Sequence, residues 1–117
     1  MTKNTDSTRY YSAQQETAVT KVINGIRTPN SGAGFWKKGD VINNEASIVC
    51  ECKTCVQDKQ SFSIKKDWII KLKQEAFEDR IANQCIAFNF GPNQANYFII
   101  DEKLMRFLIE KLEEENK

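Results

Sequence analysis

The segment from residue 47 to residue 53, SIVCECK, is the feature that most constrains the fold of this 117-residue chain. Its residue types alternate as they do in a β-strand, where successive side chains point to opposite sides of a sheet. Cys50 and Cys52 share one side as small apolar residues, and Glu51 and Lys53 share the other. The pattern therefore predicts a strand with one buried face and one face that carries a carboxylate beside an ammonium.

Helical and strand-like segments follow one another in the order α, β, β, α, β, β, α. Apolar spacing predicts a first helix from Ser12, with Gln15 as its capping-box partner and Gly25 as its stop. A second helix is expected from about residue 64 to residue 80, with Ser63 as N-cap. Strands are predicted at 40–43, 47–53, 84–90 and 97–100, with a final amphipathic helix after them. This order predicts an α/β fold, a central mixed sheet flanked by helices.

The length favours one domain. Residues 1–11 have few aliphatic side chains and are expected to form a flexible tail, and residues 12–117 a single domain. The polar N-terminal sequence lacks the apolar segment of a secretory signal, and no apolar run approaches the ~18 residues of a membrane span. Four cysteines in such a chain read as reduced thiols. We therefore expect a cytoplasmic protein without membrane segments.

The position of Asp40 depends on the register between the first two long strands. A two-residue turn at 43–44 would set Asp40 opposite Ser47, roughly 13 Å along the strand from the position facing Glu51. A four-residue loop at 44–47 would set Ile42 opposite Val49 and Asp40 opposite Glu51, with Cβ atoms roughly 5 Å apart. The sequence leaves both registers open.

In the second register, two carboxylates would lie close enough to repel each other unless a cation lay between them. A hard divalent cation such as Mg²⁺ suits oxygen ligands, with water and phosphate oxygens completing its shell. Lys53 beside a metal-bound water could orient or help deprotonate it and stabilise charge on an attacked phosphate. Such a cluster indicates metal-dependent phosphodiester hydrolysis.

Four motifs occur in one order: the loop RTPNSGAG, the strand KGDV, the strand VCECK and the helical segment SFSIKKDWIIKLKQEA. In this respect the chain, from about Ser12 to Ile100, resembles the PD-(D/E)XK nuclease superfamily and, within it, archaeal-type Holliday junction resolvases and their phage-encoded relatives. The resemblance implies a restriction-endonuclease-like core. Asp40 matches the acid that begins the second strand, and Glu51 with Lys53 matches the E-x-K motif, although Gly39 stands where the named motif has proline.

The resemblance also implies further site residues. Glu16 matches an additional carboxylate on the first helix, so that Glu16, Asp40 and Glu51 would bind Mg²⁺, for which Mn²⁺ can substitute. Arg27 and Ser31 match the loop residues near the scissile phosphate. The implied catalytic set is Glu16, Ser31, Asp40, Glu51 and Lys53.

The implied partner is DNA with a four-way junction, cleaved by a homodimer in recombination or repair. Basic side chains expected to contact its phosphates are Arg27, Lys37, Lys38, Lys65 and Lys66. If the chain is phage-encoded, as the resemblance suggests, it would act in the cytoplasm of a bacterial host.

Other interpretations stay open at this point. A nuclease of the same superfamily could act on flaps, nicks or duplex ends instead. A protein of another class could bind DNA without cleaving it, or bind zinc through its thiolates, which suit that metal. The four thiols belong to Cys50, Cys52, Cys55 and Cys85.

Overall fold

The computed structural model describes residues 3–28 and 40–117. Five strands form one sheet in the order β1-β2-β3-β4-β5, and all neighbouring pairs are antiparallel except the parallel pair β3 and β4. The strands are β1 Ile26–Arg27, β2 Val41–Asn43, β3 Ile48–Lys53, β4 Asn83–Phe88 and β5 Tyr97–Ile100, and the helices are α1 Lys3–Ile23, α2 Lys66–Glu78 and α3 Glu102–Glu115. The predicted α/β fold with a mixed sheet flanked by helices is confirmed.

The two faces of the sheet pack against different helices. Alternation along each strand sends one set of side chains to α1 and the next set to α2. The core on the α1 side contains Val19, Val41, Cys50, Cys85 and Ala87. The core on the α2 side contains Ile42, Val49, Leu72, Ala76, Ile81 and Ile86. Because α2 lies in the connection between the parallel strands β3 and β4, it covers the face that carries Glu51 and Lys53.

Helix α1 begins at Lys3, nine residues before the predicted start at Ser12. Residues 3–11 therefore have helical backbone where the sequence indicated a tail, and no Gly or Pro interrupts the segment. Ser12 lies inside the helix, so the predicted capping box does not form. Gly25 follows the helix as expected, with its N–H bonded to the Thr20 carbonyl at 2.9 Å.

Helix α2 begins at Lys66, later than expected, and its N-cap is Lys65 instead of Ser63, with no side-chain cap. The helix ends near Arg80, whose positive φ of 60° turns the chain into β4. Helix α3 has a side-chain cap, because Asp101 accepts a hydrogen bond of 2.9 Å from the Leu104 N–H. Among the described residues, no helix is both long and apolar enough to span a membrane.

Candidate active site

The strand register brings the predicted acidic residues to one place. Ile42 pairs with Val49 and Asn43 with Ile48, so the connection is the four-residue loop at 44–47 and not a two-residue turn. Asn43 stabilises this loop by accepting a hydrogen bond of 2.9 Å from the Ala46 N–H. The last pair of the register is Val41 with Cys50. One further step sets Asp40, directly before β2, beside Glu51 of β3.

Asp40 is tied to β3 by two hydrogen bonds. Its N–H donates to the Cys50 carbonyl at 3.1 Å, and its Oδ2 accepts from the Cys52 N–H at 2.7 Å. The pKa of Asp40 is raised to about 7. Burial is the largest cause and the charges of Glu51 and Glu16 add to it, while the Cys52 hydrogen bond and Lys53 act in the opposite direction. Near neutral pH, the surroundings of Asp40 therefore hold too little positive charge to stabilise its ionised form.

Glu51 and Lys53 form an ion pair over the face covered by α2. The Lys53 Nζ lies 3.4 Å from Glu51 Oε2 and 4.3 Å from the centroid of the Trp68 ring. Burial raises the pKa of Glu51, while Lys53 opposes that shift. Cys50 and Cys52 pack toward α1 instead, so the predicted separation of thiols and charges is confirmed.

Glu51 and Lys53 border a cleft of about 300 Å³ between β3 and α2. Two acids of α2, Asp67 and Glu75, line it together with Glu51 and Lys53. The negative charge of Glu75 adds to the raised pKa of Glu51. Lys71 also lines the cleft and lies 3.4 Å from Asp67, so three carboxylates stand against two ammonium groups. This small excess of negative charge favours binding of a cation.

Glu16 is half-buried on α1 and is held by Arg27 of β1. Its Oε1 accepts from both Nε and Nη2 of Arg27 at 2.9 Å, and its side chain is 16% exposed. Its charge nevertheless raises the pKa of both Asp40 and Glu51. The three predicted metal ligands thus share one electrostatic environment, with Glu16 already neutralised by a guanidinium.

No group of three or more His, Cys, Asp or Glu side chains is arranged to hold a metal ion within residues 3–28 and 40–117. The predicted three-carboxylate site is therefore not assembled as a set of ligands. Asp40 and Glu51 still fit a hard cation by their chemistry, because both are half-buried acids with raised pKa and one nearby ammonium, Lys53. Glu16 is paired with Arg27 through Oε1 alone, so only its Oε2 is left by that pair to join them.

The remaining predicted residues fall into two groups. Ser31, Lys37 and Lys38 lie outside the described residues. Lys65 and Lys66 are exposed at the start of α2, and Lys65 Nζ lies 5.9 Å from the Trp68 ring centroid on which Lys53 also packs. The start of α2 therefore adds positive charge at the rim of the cleft.

The four cysteines are free thiols and do not form the four-ligand zinc site weighed from the sequence. Cys50 and Cys85 are paired neighbours on β3 and β4, buried in the core on the α1 side. Cys55 instead donates to the Asn89 carbonyl at 3.7 Å. The thiols of the core serve as small packing groups.

Sequence reasoning missed three residues near the site. Trp68 and Glu75 belong to α2, and the helical pattern of that segment did not indicate that the Trp68 ring would pack on Lys53. Gln15 was assigned to a helix cap, but it is 3% exposed and donates to the Lys53 carbonyl at 2.7 Å. The sequence signal for the burial of Gln15 was its position beside the apolar stripe of the first helix.

Comparison with known proteins gives no further assignment. No family model matches the chain, and neither the curated proteins nor the solved structures contain a match.

Proposed function

We propose that this protein is a metal-dependent, structure-selective DNA endonuclease that cleaves four-way junctions in the cytoplasm. The resemblance to PD-(D/E)XK resolvases supplies the substrate class. The observation that carries the proposal is the hairpin register, which sets Asp40 beside the strand of Glu51 and Lys53, two residues that line the acidic cleft.

Asp40 and Glu51 would hold the cation, and Mg²⁺ or Mn²⁺ would supply a Lewis acid and a water of lowered pKa. Lys53 is fixed by Glu51 on one side and by the Trp68 ring on the other. Its ammonium can therefore donate to a water or to a phosphate oxygen without first having to be ordered. The buried carboxyl of Asp40 must lose its proton before it can bind a cation, so cation binding strengthens as the pH rises through about 7.

Phosphate contacts would come from the basic groups at the rim of the cleft. Lys65 and Lys66 are exposed at the N-terminus of α2, where the helix dipole also favours an anion. Arg27 is half-exposed beside Glu16. We expect these groups to fix the DNA backbone and to contribute little to the choice of sequence.

The proposed enzyme is a homodimer that uses α3 as its interface. One face of this helix carries exposed apolar side chains: Met105, Leu108, Ile109 and Leu112. Arg106 and Glu113 are seven residues apart and so lie on one side of the helix, next to that face. An antiparallel second copy would cover the apolar residues and bring each Arg106 against the other Glu113.

Cleavage of defined DNA substrates tests this function. Purified wild type should cut a labelled four-way junction in Mg²⁺ or Mn²⁺, and cut linear duplex more slowly. Asp40→Asn and Lys53→Met should each lower the cleavage rate by about 100-fold or more while still binding the junction. Glu45→Gln, an exposed acid in the β2–β3 loop, is the matched control and should cut normally.

Three results would overturn or redirect the proposal. If the wild type cuts no DNA with either metal, or if Asp40→Asn cuts as well as the wild type, the nuclease assignment fails. If flaps or nicked duplexes are cut in preference to junctions, the chemistry stands and the substrate changes.

A further inference from the structure

A groove of about 610 Å³ lies between α1 and the loops that follow β3 and β4. We call it the amide groove and define it by Tyr10, Tyr11, Gln14, Gln15, Asn89 and Asn96, all of which line it. It is separate from the acidic cleft, since α1 and α2 pack against opposite faces of the sheet.

The lining of the amide groove is almost uncharged and combines side-chain amides with apolar surface. Six of its fourteen lining residues among those described carry side-chain amides, and Lys21 is the one charged residue among them. An amide offers a donor and an acceptor side by side, which matches the edge of a nucleobase. Tyr10 and Tyr11, with ring centroids 5.1 Å apart, add flat apolar surface on which a base can stack.

The amides at the base of the groove are held in a network before any ligand binds. Asn96 Oδ1 accepts from Gln15 Nε2 at 3.1 Å and from Asn89 Nδ2 at 3.2 Å. Asn89 Oδ1 in turn accepts from the Thr54 hydroxyl at 3.2 Å. Fixed side chains lose little conformational freedom when a ligand arrives, so such a network favours specific binding.

Gln15 gives the strongest indication of a missing partner. Its side chain is 3% exposed, and its Oε1 is buried without a hydrogen-bond partner among the described residues. Buried acceptors in folded proteins are rarely left unsatisfied, so each one needs an explanation. Rotation of the Gln15 amide toward the groove that the residue lines would let an amino or imino N–H of a bound base supply the missing donor.

The amide groove is joined to the candidate active site through the backbone. Gln15 precedes Glu16, and its Nε2 donates to the carbonyl of Lys53 at 2.7 Å. Thr54, which lines the groove, follows Lys53 directly. DNA bound at the cleft would have to cross the end of β3 to reach the groove on the other face of the sheet, where Lys21 is available to a phosphate.

From these observations we infer that the amide groove binds one unstacked nucleobase of the DNA substrate. The inference rests on the proposed function for the identity of its ligand. A branch point in DNA offers bases that cost less to unstack than those of an intact duplex. Base capture in the groove would then contribute to the selection of branched over linear DNA.

A double-mutant cycle between protein and DNA tests this inference. Junction binding is measured by fluorescence anisotropy in Ca²⁺, with each nucleotide near the branch point replaced in turn by an abasic site. For the wild type, one such replacement should weaken binding by about 5-fold or more, the size expected for loss of a stacked base. For Tyr10→Ala the intact junction should bind more weakly by a similar factor, and the same abasic replacement should have no further effect.

The control variant is Tyr97→Ala, since Tyr97 is an exposed tyrosine of similar accessibility on β5. It should respond to the abasic site as the wild type does. If no abasic position weakens wild-type binding, or if Tyr10→Ala keeps the full response, the inference is wrong. If the protein does not bind junctions at all, binding to short single-stranded oligonucleotides replaces them in the same cycle, and absence of binding there also overturns the inference.

The two proposals can fail separately. A protein that cleaves junctions without any coupling between Tyr10 and a base keeps its nuclease function and loses the groove. A protein that shows coupling between Tyr10 and a base but cleaves no DNA in either metal retains the base-binding groove and loses the proposed nuclease function.

Discussion

The carboxylate of Asp40 reaches across the hairpin and accepts a hydrogen bond of 2.7 Å from the backbone N–H of Cys52. This bond favours the ionised form, yet burial has the larger effect and the pKa rises to about 7. The acid is thus held in place by the neighbouring strand while its charge remains uncompensated. A residue in that condition destabilises the folded chain at high pH, and a bound cation would relieve it.

Asp40→Asn should make the protein more stable at pH 8. The folded-state pKa of about 7 exceeds the ordinary aspartate value of 3.8, so the folded state binds the proton more tightly than the unfolded state does. Wild-type stability should therefore fall as the pH rises from about 4 through about 7, whereas the neutral Asn keeps its acceptor oxygen and does not titrate. In urea unfolding at pH 8, the free energy of unfolding of the variant should exceed that of the wild type by roughly 2–4 kcal/mol, with a smaller difference at pH 5. A gap that did not change with pH would contradict the burial argument.

Gly25→Ala should destabilise the fold by roughly 1–3 kcal/mol. A Cβ at this position would lie 2.6 Å from the backbone carbonyl oxygen of Ile42, which cannot move without disturbing β2. Thermal unfolding of Gly25→Ala measures the effect. Ala46→Gly, in the exposed loop between β2 and β3, is a control with the reverse change and should shift the melting temperature much less. An unchanged melting temperature in Gly25→Ala would show that the turn between α1 and β1 does not approach β2 so closely.

Gln15→Leu should cost roughly 1–3 kcal/mol of stability, because it leaves the Lys53 carbonyl and Asn96 Oδ1 without the donor that Gln15 supplies. The neighbouring Gln14 is exposed, so Gln14→Leu should stay within about 0.5 kcal/mol of the wild type. Denaturant unfolding of the two variants makes the comparison. Equal effects would mean that Gln15 is not buried against β3.

The α3 interface predicts a charge exchange. Arg106→Glu should weaken the dimer about 10-fold by placing like charges together, and the double change Arg106→Glu with Glu113→Arg should restore it. Sedimentation equilibrium gives the dissociation constants. Phe77→Lys removes an exposed aromatic residue of α2 and should leave the dimer intact. A wild-type monomer at high concentration would rule out this interface.

Alternating residue types made the four longer strands predictable, since a period-two pattern such as that of residues 47–53 fits a sheet packed between two helices. The two-residue strand β1, Ile26–Arg27, is too short to show such a pattern and was not predicted. The hairpin register depends on the length of the loop between β2 and β3. That loop has four residues, and the local sequence is equally compatible with a two-residue turn. The burial of Gln15 and the pairing of Glu16 with Arg27 depend on where α1 crosses the sheet. That crossing is a tertiary property, and helical spacing alone does not contain it.

The central claim is that Asp40 and Glu51 together hold a hard divalent cation, and thermal unfolding in Mn²⁺ at pH 8 tests it directly. A cation that binds only the folded chain stabilises it by mass action, so saturating Mn²⁺ should raise the wild-type melting temperature by about 3 °C or more. The same addition should do nothing for the Asp40→Asn, Glu51→Gln double variant and should act on Glu45→Gln as on the wild type. An equal rise in the double variant, or no rise in the wild type, would contradict the claim.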